Sequence, residues 1–304
     1  MILSILIPTY NRKTQLLIAL KSCLDYHDRN IEIIIGDDSE ASLENDFFKQ
    51  VSLPSNYTIK YLHRPISLKQ NKNVASLINE ASGTYSLILH DDDYLLPNSL
   101  QILIKAAESR NDLNCIYFGK QILVNDSGEL IEPNNLNRDY FRSEEFKGLQ
   151  SDPVKMALLQ QVPSNSFLFP TEYAKKIGYR NYETVGDACD FDFIIRFVLK
   201  EKTELFFINK DISAYRLSPH SISQSAQNNA IFFKYEVMKD LKIANSNSEI
   251  LRTIIKSDLN VLCGYYISNN YRNELRKIYF SGNYPVLKRF TLRGIYHLLN
   301  CFIR

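Results

Sequence analysis

The chain has 304 residues, 45% of them hydrophobic and 23% charged, which excludes a disordered or fibrous polymer and is enough for a full buried core. A formal net charge of +2 supplies no global field for a nucleic acid, and none is expected as a partner. The five cysteines (Cys23, Cys115, Cys189, Cys263, Cys301) are scattered without a CxxC pair, and read as reduced thiols of a cytoplasmic protein, not as a disulfide framework or zinc site.

The apolar run Leu3–Ile7 stops at Pro8, has no basic start or cleavage site, and is too short to span a bilayer. It reads as a buried strand. Further strands are expected at Ile31–Ile35, Thr58–Leu62, Tyr85–Leu89 and Cys115–Val124. The first, second and fourth are almost continuously apolar, as strands covered on both faces are. Helical patterns lie between them, at about Lys13–Tyr26, Ser42–Gln50, Gln70–Ala81 and Asn98–Ser109. This alternation implies an α/β fold with a mostly parallel sheet flanked by helices. Ligands then bind beyond the carboxyl ends of the strands, which singles out Pro8–Arg12, Gly36–Ser39 and His90–Asp93.

Val124–Glu129 reads as a hairpin turn, and residues 133–150 as a polar loop without period, a candidate for motion. Then come a helix near Pro153–Gln161, a strand at Ser166–Phe169, a helix from Thr171 ended by Gly178, a helix at Asp190–Lys200 and a strand at Glu204–Ile208. From about Ala226 the pattern is helical only. The expected division is therefore 1–225 and 226–304.

His90-Asp91-Asp92-Asp93 places three adjacent carboxylates after a buried strand. They repel one another unless solvent or a cation screens them. A hard divalent ion takes a few oxygen ligands and leaves places for phosphates, so Mn²⁺ or Mg²⁺ held against a diphosphate is one reading. A solvated loop capping the helix from Asn98 is the other.

Four segments occur in order: Ser4-Ile-Leu-Ile-Pro-Thr-Tyr-Asn-Arg12, Glu32-Ile-Ile-Ile-Gly-Asp-Asp-Ser39, Lys72-Asn73 and Leu89-His-Asp-Asp-Asp-Tyr-Leu-Leu-Pro97. Together they resemble inverting glycosyltransferase family 2, whose fold is the Rossmann-like GT-A type, over roughly residues 1–220. The resemblance implies a nucleotide-sugar donor, a divalent metal and a hydroxyl acceptor on a glycan or lipid-linked glycan. It places Pro8, Thr9, Tyr10 and Arg12 in the loop around the donor nucleotide. It makes Asp38 the acceptor for a uracil N–H, with Asp37 structural, and sets Lys72 and Asn73 near the nucleotide or diphosphate. The family's Asp-x-Asp-Asp motif has His90 in its first place here. Asp92 is then the favoured metal ligand and Asp91 lies near the ribose or metal. Asp93 is left open, and His90 is either a ligand or a packed histidine.

Gly186-Asp-Ala-Cys-Asp-Phe-Asp-Phe-Ile-Ile-Arg196 opens a helix, where its dipole favours an acid whatever that acid's role. Inverting transfer needs a carboxylate to take the acceptor's proton. The segment resembles the family's Glu-Asp-x-x-Leu-x-x-Arg block. Aligned on Arg196 it makes Asp190 the catalytic base, with Cys189 replacing the Glu and Asp187 as rival. Arg196 is expected to brace the helix by pairing with an acid. Tyr215-Arg-Leu-Ser-Pro-His220 is similar to a later family segment, in which His220 is either a metal or phosphate ligand or a loop histidine.

The tail is basic: Tyr271 to Arg304 holds seven Lys or Arg against Glu274 alone. On a helical wheel, Val286–Arg304 has a polar wedge of Arg289, Arg293, His297, Asn300 and Arg304 in an otherwise apolar circumference. Such a helix lies on an anionic membrane surface, packs on the catalytic domain or dimerises. The expectation is a cytoplasmic enzyme, peripheral at the inner membrane face in the first case. A nucleotidyltransferase would need a Gly-rich basic loop that Pro8–Arg12 is not. A non-catalytic nucleotide-sugar or glycan-binding protein is the remaining alternative.

Overall fold

The computed structural model describes residues 3–110, 112–217, 229–241 and 248–302. It divides into two compact units, residues 1–182 with 189–224, and residues 183–188 with 225–304. In chain order the first contains β1 (Leu3–Thr9), α1 (Lys13–Ser22), β2 (Ile31–Asp37), α2 (Asn45–Lys49), β3 (Tyr57–His63) and α3 (Lys69–Glu80). There follow β4 (Tyr85–Ile88), β5 (Tyr94–Leu95), α4 (Ser99–Arg110), β6 (Cys115–Val124), α5 (Leu136–Asp139), β7 (Gly148–Leu149), α6 (Pro153–Leu158) and β8 (Leu168–Pro170). Next come α7 (Thr171–Ile177), α8 (Tyr182–Val185), which runs into the second unit, α9 (Cys189–Lys200) and β9 (Glu204–Arg216).

The strands form one mixed, mostly parallel sheet flanked by helices, ordered β3-β2-β1-β4-β8-β6-β9-β5 with β7 beside β9. β3, β2, β1 and β4 run parallel, β8 runs antiparallel between β4 and β6, and β6 is parallel to β9. Ile5, Ile7, Ile33 and Ile35 are fully buried in one cluster with Leu16 and Leu20 of α1 and Leu100 and Leu103 of α4. Each such side chain contributes about 1.5–3 kcal/mol by leaving water. The register sets Thr9, Asp37 and His63 on one rung at the carboxyl edge of β1, β2 and β3.

Several elements depart from their expected extents for identifiable reasons. α1 stops at Ser22 rather than Tyr26, and α2 has only five residues. β9 does not end at Ile208 but continues to Arg216. The polar Asn209-Lys210-Asp211 that suggested a stop lies where the β6–β9 pairing slips register. Gly119 sits at the slip, and a Cβ there would lie 2.3 Å from Ile212 and 2.6 Å from the Lys210 carbonyl. Residues 133–150 are not a structureless loop but hold α5, a tight turn at Glu144–Phe146 and β7. Buried Arg142 ties them down, donating from Nε to the Gln161 carbonyl at 2.6 Å. The Val124–Glu129 turn is present, closed by Asn125 N–H to the Glu129 carbonyl at 2.9 Å, with Gly128 at φ +83°.

The second unit is helical in its described residues: α10 (Ala230–Asp240), α11 (Ser248–Ser268), α12 (Arg272–Tyr279), α13 (Val286–Arg289) and α14 (Leu292–Phe302). Leu259, Leu262 and Tyr266 of α11 pack with Leu275 and Ile278 of α12, Tyr284 and Cys301. The tail is two helices, broken at Phe290-Thr291, rather than one. Gly294 lets them meet closely: a Cβ there would lie 2.0 Å from the Lys288 carbonyl. His297 is not on a solvated wedge. It is buried with its Nδ1 2.9 Å from the Tyr284 hydroxyl, and burial, aided by Arg293, lowers its pKa. All five cysteines are buried and unbridged. No described helix is long and apolar enough to cross a membrane.

Candidate active site

At the end of β1, the buried Thr9 hydroxyl donates to Asp91 Oδ2 at 2.7 Å, while Tyr10 is exposed beside the half-buried Pro8. Asn11 is in the left-handed region at φ +55°, which Asn tolerates better than most residues. Its N–H donates to Ser39 Oγ at 2.8 Å. The turn delivers Arg12, whose Nη1 lies 2.9 Å from Asp91 Oδ1 and 2.7 Å from Asp92 Oδ2.

At the end of β2 two adjacent carboxylates diverge. Asp37 is consumed by the fold, accepting from the Ser39 N–H at 2.9 Å and the Tyr61 hydroxyl at 2.7 Å. Asp38 is tied by its N–H to the Thr9 carbonyl at 3.0 Å. Its Oδ2 accepts from Ser67 at 3.2 Å, but its buried Oδ1 has no hydrogen-bond partner among the described residues. Burial raises its pKa, against the pull of Ser67 and Arg64.

Asn73 is buried, donating to the Gly36 carbonyl at 2.8 Å and accepting from Arg64 Nη1 at 3.0 Å. Gly36 makes this possible, since a Cβ there would lie 2.2 Å from Asn73 Oδ1. Arg64 Nη1 stands 3.9 Å from the unbonded Asp38 oxygen. Lys72, the residue before Asn73 on α3, is exposed.

After β4, Asp91 is spent on Thr9 and Arg12, whereas Asp93 faces inward. Asp93 accepts from the Arg216 N–H at 2.8 Å and from Asn165 Nδ2 at 2.6 Å. Arg216 also donates to the Asp92 carbonyl at 2.9 Å, so β9 holds the acidic loop in shape. Asn165 Nδ2 lies 3.2 Å from His90 Nδ1. One donor atom each from His90, Asp92 and Asp93 lies within 4.8 Å of the others, a cluster able to hold a metal ion. Two carboxylates and an imidazole suit Mn²⁺, while Mg²⁺ prefers an all-oxygen set.

The electrostatics also favour a cation. Burial would depress His90, but Asp190, Asp93, Asp92 and Asp91 together raise it. Burial and the Asp92 charge push Asp93 up to about 7. Arg12 answers this demand only at Asp91 and Asp92.

α9 brings the last acid. Asp190, in its first turn, accepts from the Tyr179 hydroxyl at 2.6 Å. Burial raises its pKa, partly offset by the charge of His90 and by Tyr179. Asp190 is also the foremost charge raising His90, so the two groups interact electrostatically. The neighbouring acids are used otherwise. Within the second unit, Asp187 and Asn229 exchange two bonds, with the Asp187 N–H donating at 2.9 Å and its carboxylate accepting at 3.1 Å. Asp192 is paired with Arg180 and with Arg196 at 2.8 Å, the brace expected of Arg196. His220 lies outside the described residues.

Sequence reasoning missed Arg64, Asn165 and Tyr179. Arg64 follows β3 directly, and the strand-end rule applied to that strand finds it. Asn165 and Tyr179 carry no such signal, because only their tertiary partners define them.

Comparison with known proteins shows what the chain as a whole is similar to. Residues 4–163 match the family described as Glycosyl transferase family 2. A Campylobacter jejuni GalNAc(5)-diNAcBac-PP-undecaprenol beta-1,3-glucosyltransferase is 24% identical over 91% of this chain and 84% of its own length. The Salmonella typhimurium abequosyltransferase RfbV is 30% identical over 48% of this chain, which spans only 43% of that protein. Among solved structures, S. aureus TarS 1-349 in complex with UDP-GlcNAc superposes with a TM-score of 0.63 at 15% identity, over 99% of this chain and 79% of that one. With its GT-A sheet and strand-end acids, the chain belongs to glycosyltransferase family 2.

Proposed function

We propose that the chain transfers a sugar, with inversion, from a UDP-sugar to a hydroxyl of a lipid-linked glycan. The observation that supports this reading is the His90, Asp92 and Asp93 cluster after β4, whose His90 also feels the charge of Asp190, in a chain of family 2. The UDP assignment draws on Asp38 Oδ1, a buried acceptor that accepts no hydrogen bond among the described residues and suits a pyrimidine N–H, and on the TarS complexes with UDP and UDP-GlcNAc. The lipid-linked acceptor draws on the undecaprenol-linked substrate in the Campylobacter relative's name.

In this reading Pro8, Thr9 and Tyr10 flank the base, and Asp38 fixes its edge. Arg64, held by Asn73, and Lys72 offset diphosphate charge, and Arg12 keeps Asp91 and Asp92 in place. Asp92, Asp93 and His90 would hold Mn²⁺ or Mg²⁺, with His220 a further candidate ligand. Such an ion, when bound, neutralises charge on the diphosphate. Asp190 accepts the acceptor's hydroxyl proton as that oxygen bonds to the anomeric carbon. The bond from that carbon to the diphosphate breaks, and a direct displacement of this kind inverts the centre. Tyr179 orients the Asp190 carboxylate.

Nucleoside-diphosphate release from a panel of nucleotide sugars, with Mn²⁺, Mg²⁺ or EDTA and a lipid-linked glycan pool, tests this. Release from one UDP-sugar that EDTA abolishes is expected. EDTA-resistant release, or release from a GDP- or dTDP-sugar alone, contradicts it.

A further inference from the structure

α13 and α14 turn their apolar side outward. Along α14, Leu292, Ile295, Tyr296, Leu299 and Phe302 recur at helical spacing and are all exposed, while Gly294, His297 and Cys301 on the opposite stripe are buried. The exposure is large, 84% at Leu287 and 88% at Leu292, and Phe290 between them is open as well. Single exposed apolar residues are ordinary, but a contiguous stripe marks a surface that meets something apolar. The close approach of α14 to the Lys288 carbonyl at Gly294 holds the two helices as one corner.

Charge decides what that surface meets. Residues 271–304 carry seven basic groups and one acid. Arg293 is exposed next to Leu292, and Lys277 is exposed on α12. A second copy on a two-fold axis would set this like-charged patch against itself. Anionic headgroups attract it, and a basic amphipathic helix buries its apolar face at the headgroup–acyl boundary.

We infer that α13 and α14 form a docking surface for an anionic lipid bilayer, with Leu287, Phe290 and Leu292 entering the boundary and Lys277 and Arg293 meeting headgroup phosphates. This goes beyond the catalytic assignment and does not depend on it.

The test is flotation of the full chain with phosphatidylcholine vesicles and with vesicles containing about one-third phosphatidylglycerol. Wild type is expected to partition at least about tenfold more strongly onto the anionic vesicles. A Leu287→Ser/Phe290→Ser/Leu292→Ser variant and a Lys277→Glu/Arg293→Glu variant each lose about tenfold or more. Their unfolding temperatures stay at the wild-type value, since the altered side chains are exposed. Wild type that fails to float, floats equally on both vesicles, or floats as well as both variants overturns the proposal. So does a lipid-free dimer that the triple variant splits without changing flotation.

Discussion

Three aspartates near the start of α9 have different duties. Asp187 exchanges bonds with Asn229, and Asp192 is paired with two arginines. Asp190 has a phenol hydrogen bond and a nearby imidazole, which leaves it room to accept a proton. An Asp190→Asn variant keeps the shape and a partner for Tyr179 but removes the proposed base. Turnover is expected to fall by about 10²–10⁴, with UDP affinity within about threefold of wild type. Because burial raises the Asp190 pKa above its ordinary value of 3.8, wild-type turnover falls as pH drops through that raised value. The residual activity of the variant should lack this limb. A pH–rate profile of both proteins checks the two statements together. The strand-end and helix-start positions of Asp38, Asp91 and Asp190 could be read from the sequence, while the roles proposed for them come from the family resemblance. The shape of the acidic loop could not be read there, since it depends on Asn165, in the segment before β8, and on Arg216 at the end of β9.

The parallel strands were legible as runs of Ile and Leu, whereas element ends were decided by contacts between elements. Glu32 on β2 shows one such contact, at the sheet end opposite the candidate site. Its carboxylate accepts from the Ser4 hydroxyl on β1, from the Ser82 N–H at 2.5 Å and from the Gly83 N–H at 3.1 Å. Burial opposes ionisation there, yet these bonds outweigh it and hold the pKa below its ordinary 4.5. A folded pKa below the unfolded value means the stabilisation is complete above about pH 4.5 and is lost as pH falls through the folded value. Glu32→Gln should cost about 1 kcal/mol at neutral pH, a modest figure because the group is half exposed. The difference from wild type should vanish in acid, and urea unfolding at pH 7 and pH 3 measures it. β9 and the α13–α14 corner were misjudged for related reasons. A register slip carries a polar stretch inside a strand, and a glycine contact lets a helix break where its period continues.

At the scale of the whole molecule the chain joins a strand-end candidate site in one unit to a helical unit with an exposed apolar surface. The four ordered motifs made the first legible as a family 2 glycosyltransferase. The periodicity of the second was visible, but which stripe faces water was not. A polar wedge on a wheel does not show which of its members face water: Arg293 is exposed, whereas His297 is buried against the Tyr284 hydroxyl. The claim that a metal and Asp38 together prepare the first unit for a uridine diphosphate is tested most directly by calorimetric titration of UDP. Binding is expected with Mn²⁺, at least about tenfold weaker with EDTA, and similarly weakened in Asp38→Ala with Mn²⁺ present. Failure of UDP to bind in the presence of Mn²⁺, or binding unchanged by EDTA and by Asp38→Ala, would contradict the account.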